Sequence, residues 1–232
     1  MGKSFRRWFW RSLFWLIALV LLYQLWILGH VVSWNYTNPA ASAFMEDRLD
    51  ILQERDPDST LQHVWVPYER ISPHLKRAIV AAEDGRFLDH EGFDFEAIQK
   101  AYEKNIQKGK LVAGGSTISQ QLAKNLFLSS QKTPWRKAEE AIITVMLENV
   151  MSKRRILEIY LNVIEWGNGV FGAEAAARHY FRTSAASLTA GQAARLAAIV
   201  PNPRFYDRNR NTPWVAKKTQ IILSRMPASR IP

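Results

Sequence analysis

A long uncharged stretch near the N-terminus constrains this chain more than any other feature. Residues 12–45 include no Asp, Glu, Lys or Arg, and residues 13–28 are apolar apart from Gln24. A helix of about 20 apolar residues can cross the hydrocarbon core of a bilayer. The sequence therefore predicts one transmembrane helix at 12–34, preceded by a basic N-terminus at 1–11 and followed by a polar tether at 35–45.

The charges beside this span predict its orientation. Four basic residues and no acidic residue precede it: Lys3, Arg6, Arg7 and Arg11. Because positive charges favour the cytoplasmic side of a membrane span, we expect residues 1–11 inside the cell and a domain at 46–232 outside the cytoplasm. A cleaved signal peptide is the alternative, since Ala41-Ser42-Ala43 has the pattern of a processing site. The apolar run exceeds the usual signal-peptide core of about 7 to 15 residues, which favours the anchor.

The composition limits the chemistry and the partners of the chain. No cysteine occurs among the 232 residues, which excludes disulfides, thiolate metal sites and cysteine nucleophiles. The net charge of +10 indicates an anionic partner, and a membrane or a nucleic acid would qualify. A domain outside the cytoplasm argues against DNA, so we expect no nucleic acid. The five histidines show no metal-ligand spacing.

Most of the remaining chain carries the start and stop signals of α-helices. Ser, Thr and Asp side chains accept hydrogen bonds from the first amide groups of a helix. Such residues precede apolar periodic segments at Ser72, Asp94, Thr117, Thr133, Ser152, Thr189 and Thr212. Only residues 62–67 have the pattern of a strand. We therefore expect one mostly α-helical domain with little β-structure.

The segment at 82–94 contains several carboxylates and a histidine interspersed with large apolar residues. If the helix that starts after Ser72 continues through it, Glu83, Phe87 and His90 share one stripe. A carboxylate beside an aromatic ring loses water, so its pKa rises and it can accept a proton from a hydroxyl near neutral pH. The alternative is a solvated acidic face with His90 as a helix cap.

Glycines and basic residues provide a second candidate group. Gly114 and Gly115 precede a predicted helix whose amide groups suit an anion, although an ordinary flexible loop has the same pattern. Basic side chains recur near predicted helix starts: Lys124, Arg136, Lys137, Lys153, Arg154 and Arg155. They could converge on one anion or each face solvent. Glu140 lies within one helical turn of Arg136 and Lys137 and could pair with both.

Four sequence blocks carry a family resemblance when they are taken together. In chain order they are Glu83-Asp84-x-x-Phe87-x-x-His90-x-Gly92, Gly115-Ser116-Thr117-Ile118-x-Gln120-Gln121-x-x-Lys124-Asn125, Arg136-Lys137-x-x-Glu140 and Lys153-x-x-Ile156-Leu157-x-x-Tyr160-Leu161-Asn162. They resemble the signature blocks of the family 51 glycosyltransferases, the peptidoglycan glycosyltransferases that polymerise lipid II. A looser fifth block lies at 193–201, and the resemblance covers about 65–206.

The resemblance implies a fold, a place in the cell and a set of partners. The fold is lysozyme-like and mostly α-helical, with a membrane-associated lobe, and it lies at the outer face of the bacterial inner membrane. Lipid II and the nascent glycan are the implied substrates, and membrane lipids and other cell-wall synthesis or division proteins are implied partners. Because the chain ends soon after the fifth block, we expect no transpeptidase domain.

The resemblance also implies residue roles. Glu83 is the general base that takes the proton of the acceptor's 4-hydroxyl, with inversion and a β-1,4 link, and Glu140 is a second essential glutamate. The residues implied to bind the diphosphate are Lys124, Arg136 and Lys153, supported by Lys137 and Arg154. The residues implied to shape the donor site are Ser116, Thr117, Gln120, Gln121 and Asn125. Those implied to support Glu83 are Asp84, Phe87 and His90.

The resemblance implies no required cofactor, although Mg²⁺ or Mn²⁺ near Glu140 could share the diphosphate charge. Two other classes of protein stay open at this point. A lysozyme-like lytic glycosidase acting on finished wall would also use a glutamate, but it would need few cations around it. A non-catalytic wall-binding scaffold would need neither the glutamate nor the cations.

Overall fold

The computed structural model describes residues 3–110, 114–129 and 133–232, which are mostly α-helical as predicted. The helices are α1 Lys3–Trp34, α2 Ala43–Gln53, α3 Pro73–Glu83, α4 Phe95–Lys108, α5 Ile118–Phe127, α6 Pro134–Val150, α7 Lys153–Val163, α8 Ala173–Phe181, α9 Ala190–Ile199, α10 Pro203–Arg208 and α11 Pro213–Arg225. The strands are β1 Gln62–His63, β2 Glu165–Gly167 and β3 Val170–Phe171.

The predicted helix starts are confirmed by their caps. All seven cap residues lie directly before a helix, and each accepts a hydrogen bond from a backbone amide in the first turn. Thr117 and Gln120 form a full capping box at the start of α5. A local signal of this kind does not depend on the rest of the fold.

The described residues contain little β-structure, as predicted, but one short hairpin lies outside the segment 62–67 that had the pattern of a strand. Residues 165–171 form a short hairpin, β2 and β3, with Gly169 at a φ of 75° in its turn. Strand β1 pairs in parallel with β3, so the three strands form one small sheet in the order β1-β3-β2. Gly167 is the last residue of β2, and Gly169 lies in the turn.

The predicted continuation of α3 through His90 is also wrong. The helix ends at Glu83, and Asp84 adopts φ −157° and ψ 74°. The Asp84 carboxylate accepts hydrogen bonds from His90 and from the backbone amide of Ile118, which hold the chain out of the helix. Glu83, Phe87 and His90 therefore do not share a helical stripe, although Glu83 bonds to Gln121 on α5 and His90 bonds to Asp84.

Helix packing brings α3, α5, α6 and α9 to one side of the molecule. Helix α9 packs against α3 and α11, while α5 packs against α6 and α7. The largest fully buried side chains are Trp166, Tyr160, Phe87 and Phe171. The ends of α3 and α9 consequently lie beside α5 and the first turns of α6.

Helix α1 has the length and composition of a membrane span, which is compatible with membrane anchoring. An 18-residue window within Ser4–Trp34 has a mean hydropathy of 2.0, and most of this helix is exposed. Its C-terminal half packs on α6, where Ile27 and Val31 are fully buried. Arg155 then donates hydrogen bonds to the carbonyl oxygens of Trp34 and Thr37, so the beginning of the predicted tether is held against α7.

Candidate active site

A cleft of about 670 Å³ brings eight of the predicted site residues together. Its lining residues are Glu83, Ser116, Gln120, Gln121, Lys124, Arg136, Lys137, Glu140, Val200 and Pro201. They come from the end of α3, the start and middle of α5, the first turns of α6 and the end of α9. A larger cavity of about 760 Å³ between α9 and α11 has no carboxylate in its lining, so it offers no acid or base.

Glu83 is the last residue of α3 and is partly buried at the cleft wall. The Gln121 side-chain amide donates a hydrogen bond to Glu83 Oε2 at 2.9 Å. Burial raises the pKa of the Glu83 carboxyl above its ordinary value. The Gln121 hydrogen bond and the charges of Lys218 and Lys124 oppose that rise, and Asp84 adds to it. The result is a carboxylate with a strengthened affinity for protons.

Positive charge is concentrated among the other charged residues of the cleft lining. Glu140 is buried and pairs with Arg136, whose Nη1 lies 3.1 Å from Oε2, and with the ammonium of Lys137. Burial lowers the pKa of Lys124, and the nearby charges of Arg136 and Lys137 lower it further, against the charges of Glu140 and Glu83. Three cations and one carboxylate leave a net positive charge in the cleft that Glu83 also lines.

The start of α5 is held by hydrogen bonds inside the protein. The Thr117 hydroxyl donates to the carbonyl oxygen of Gly92 at 2.7 Å and accepts from the Gln120 amide. The Ile118 amide donates to Asp84. Two of the first helical amides are therefore already bonded, so the helix N-terminus is a weaker anion site than its glycines indicated. Ser116 remains exposed at the cleft.

The predicted supporting residues lie behind Glu83 and outside the cleft lining. The Gly92 amide donates to His90 Nδ1 at 3.1 Å, so His90 Nε2 carries the proton and donates to Asp84 Oδ1 at 2.9 Å. Phe87 is fully buried. Asp84 thus ties the end of α3 to both His90 and the start of α5.

Lys153, Arg154 and Asn125 lie elsewhere. The Lys153 ammonium is 2.8 Å from Glu148 Oε1 and lies over the Phe87 ring, while Arg154 pairs with Glu69. Asn125 donates to the Gln121 carbonyl oxygen and lines an adjoining cavity of about 400 Å³. The structure does not bring Lys153 or Arg154 into the cleft with Lys124.

A divalent ion does not fit the protein groups near Glu140. Arg136 and Lys137 occupy both carboxylate oxygens. No group of three His, Cys, Asp or Glu side chains suited to a metal occurs in the described part of the chain. We derive no step through a metal.

Sequence reasoning missed several groups around the site. Tyr160 lies within a quoted block, so a signal for it existed, and its hydroxyl donates to Gln121 Oε1 at 2.9 Å. Lys218 lies outside every block, and only the folded chain brings it near Glu83. Arg48 and Glu165 line the adjoining cavity, and neither had a sequence signal.

Comparisons with known proteins show the family of this chain. The sequence profile of the transglycosylase family matches residues 50–227. A biosynthetic peptidoglycan transglycosylase of Nitrosospira multiformis is 68% identical over 98% of this chain and 99% of that protein. Proteins of the same description from Chromobacterium violaceum and Laribacter hongkongensis are both 66% identical, over 94% and 97% of this chain and 95% and 99% of their own lengths.

Proposed function

Because this chain belongs to the transglycosylase family and is a peptidoglycan glycosyltransferase of cell-wall biosynthesis, we propose that it polymerises lipid II with Glu83 as the general base. One observation carries this proposal: Glu83 and Lys124 line the same cleft, with Arg136 and Lys137 beside them. A proton acceptor and an anion-binding wall thus face one reacting centre.

Glu83 accepts the proton of the acceptor sugar's 4-hydroxyl as that oxygen attacks the anomeric carbon of the donor. Gln121 holds Oε2, and Oε1 has no hydrogen-bond partner among the described residues. One oxygen is therefore fixed while the other is available to the hydroxyl. The raised pKa matches a base that works near neutral pH. A single displacement of this kind inverts the anomeric carbon and forms a β-1,4 link.

The polyprenyl diphosphate leaves with the bonding electrons of the anomeric carbon–oxygen bond. A diphosphate needs no general acid, but its growing charge is stabilised by cations in a site with little water. We assign this role to Lys124, Arg136 and Lys137. Lys153 supports the site from behind through its contacts with Phe87 and Glu148.

Glu140 acts as a positioning residue for these cations. Its buried carboxylate pairs with both Arg136 and Lys137 on its own helix. The two pairs fix the direction of two long side chains, which lowers the entropy lost when they bind the diphosphate. Ser116, Gln120 and Gln121 form the neighbouring wall for the donor sugars, with Thr117 and Asn125 holding that wall in shape.

The membrane holds the lipid part of the substrate close to the cleft. We propose that residues 1–11 lie in the cytoplasm and that the domain at 46–232 lies outside the inner membrane. Large apolar side chains are exposed on α4 and at the start of α6, next to elements that build the cleft: Phe95, Tyr102, Ile106 and Trp135. Their exposure supports a lobe that contacts the bilayer. Contacts with other wall-synthesis or division proteins remain an expectation from the resemblance.

Product analysis tests this function. When the purified chain acts on lipid II in vesicles, it should form glycan polymer. It should release one polyprenyl diphosphate for each glycosidic bond that it forms. Glu140→Gln should lower the rate by about 10- to 100-fold, since the cations lose their anchor. Soluble fragments released from intact sacculi, without polymer from lipid II, would instead identify a lytic glycosidase. Neither product would identify a scaffold.

A further inference from the structure

A chain of hydrogen bonds connects the core of the domain to Glu83. The Tyr160 hydroxyl on α7 donates to Gln121 Oε1 on α5 at 2.9 Å, and Gln121 Nε2 donates to Glu83 Oε2 on α3, also at 2.9 Å. Tyr160 is fully buried, and Gln121 Oε1 is the one acceptor that its hydroxyl has among the described residues.

The direction of these bonds decides what Gln121 presents to Glu83. A side-chain amide has an acceptor oxygen on one side and a donor nitrogen on the other. While Tyr160 donates to the oxygen, the nitrogen must face the carboxylate. If the amide rotated by half a turn, the buried Tyr160 proton would lose its acceptor, and Gln121 Oε1 would face Glu83. Two oxygens in contact are stable only when one of them carries a proton.

We propose that Tyr160 is a positioning residue that keeps Glu83 in its proton-accepting form by fixing the orientation of the Gln121 amide. The inference rests on the proposed role of Glu83 as general base. Tyr160 does not touch the reacting atoms and acts through Gln121. Its hydroxyl can do this over the whole working range, because burial and the charges of Glu83 and Asp84 raise its pKa well above the ordinary value.

The other charges around Glu83 do not replace this contact. Asp84 on its own segment raises the Glu83 pKa, whereas Lys124 on α5 and Lys218 on α11 lower it. Arg136, Lys137 and Glu140 on α6 line the same cleft. None of these six side chains bonds to Tyr160, so a Tyr160→Phe substitution leaves them in place and removes only the fixed direction of the amide.

The pH dependence of kcat/KM for lipid II polymerisation by full-length chain in vesicles tests this inference. In Tyr160→Phe the Gln121 amide is no longer held with its nitrogen toward Glu83. The ionised carboxylate then loses part of its hydrogen bond from Gln121, so the Glu83 pKa rises further. The acid limb of the profile should then move to higher pH by about one unit, with activity recovering toward the wild-type value in alkali. Tyr180→Phe is the matched control, because Tyr180 donates to the Trp166 carbonyl oxygen at 2.7 Å and has no contact with Glu83. Its acid limb should stay at the wild-type pH.

A double substitution separates this role from a general loss of packing. In a Gln121→Met background no amide is left to orient, so adding Tyr160→Phe should produce no further shift of the acid limb. Gln121→Met alone should show the shift even if Tyr160→Phe does not fold. An unmoved acid limb, or an equal loss of activity at every pH, would overturn the inference. If Glu83→Gln kept its activity, the proposed function itself would fail. If Glu83→Gln is inactive but the acid limb of Tyr160→Phe stays at the wild-type pH, only the role of Tyr160 is refuted.

Discussion

The surroundings of Glu83 balance opposing effects on a single carboxyl group. Burial strengthens its hold on a proton, while Gln121, Lys218 and Lys124 weaken it. Full burial without these partners would leave the group protonated and useless as a base, and full exposure would make it too weak a base. Gln121 and Lys124 belong to one of the sequence blocks that carry the family resemblance. Lys218 belongs to α11, and no local pattern in the sequence indicated that it would lie near Glu83.

Lys218→Gln should therefore move the acid limb of kcat/KM upward by a few tenths of a pH unit, because a positive charge that favours the ionised form of Glu83 is lost. High salt should reduce the difference between the variant and the wild type. The neighbouring exposed residue supplies the control, since Lys217→Gln removes the same charge from the same helix. Equal shifts in both variants would show that net charge, and not the position of Lys218, governs the base.

At the scale of helices and loops, the sequence predicted starts better than ends. Ser72 and Thr117 cap their helices through contacts within the first turn, and such contacts can be recognised locally. The end of α3 depends on Asp84, whose partner Ile118 lies 34 residues away. The hairpin at 165–171 escaped notice because strands of two and three residues are too short to show alternation.

Gly92 lies in the loop between α3 and α4, and its surroundings leave no room for a side chain. Its φ is 88°, and a Cβ at this position would lie 2.7 Å from Thr144 Cγ2. Gly92→Ala should lower the free energy of unfolding by about 2 kcal/mol or more, as judged by urea denaturation in detergent. Gly191→Ala on α9, where nothing lies within 4 Å, should leave stability unchanged or raise it by up to about 1 kcal/mol. A loss of similar size in both variants would contradict the steric explanation.

Glu165 on β2 makes stability depend on pH. Burial raises the pKa of its carboxyl from 4.5 to about 7, against the lowering effect of Arg48. A folded-state pKa above the unfolded value gives stability that is complete below pH 4.5 and is lost as pH rises through 7.

Relative to Glu165→Gln, which cannot ionise, the wild type should therefore lose about 3 kcal/mol of unfolding free energy at most between pH 5 and pH 8. Urea denaturation of both proteins at the two pH values measures this difference. Parallel pH dependence of the two proteins would contradict the raised pKa.

At the scale of the whole molecule, the C-terminal end of α1 packs against the catalytic domain through α6 and α7. The apolar span was predictable from composition, but its docking was not, because Ile27 and Val31 resemble any other residues of the span. In the sequence, Arg155 is only one of several basic residues near predicted helix starts. In the folded chain its guanidinium donates hydrogen bonds to Trp34, Thr37 and Asn38. These bonds join the end of α1 to the start of α7, so the cleft has a defined position relative to the span.

Arg155→Ala should consequently reduce polymerisation in vesicles by about three- to tenfold, since losing several hydrogen bonds to a charged donor frees the catalytic domain from the end of α1. The same variant should lose less activity in detergent, where substrate has no fixed plane. Arg77→Ala, which removes an exposed arginine from α3, is the control. Equal losses in vesicles and detergent would mean that Arg155 serves the fold alone.

The central claim is that Glu83 takes the proton in the chemical step, and the most direct measurement compares kcat for Glu83→Gln with kcat for Glu54→Gln, an exposed glutamate at the end of α2. Both are measured on lipid II in vesicles at saturating substrate. Glu83→Gln should lose about 10³-fold in kcat, because the amide cannot accept a proton, while its affinity for lipid II changes little. Glu54→Gln should keep the wild-type rate. A Glu83→Gln enzyme that retains a tenth or more of the wild-type kcat would contradict the account.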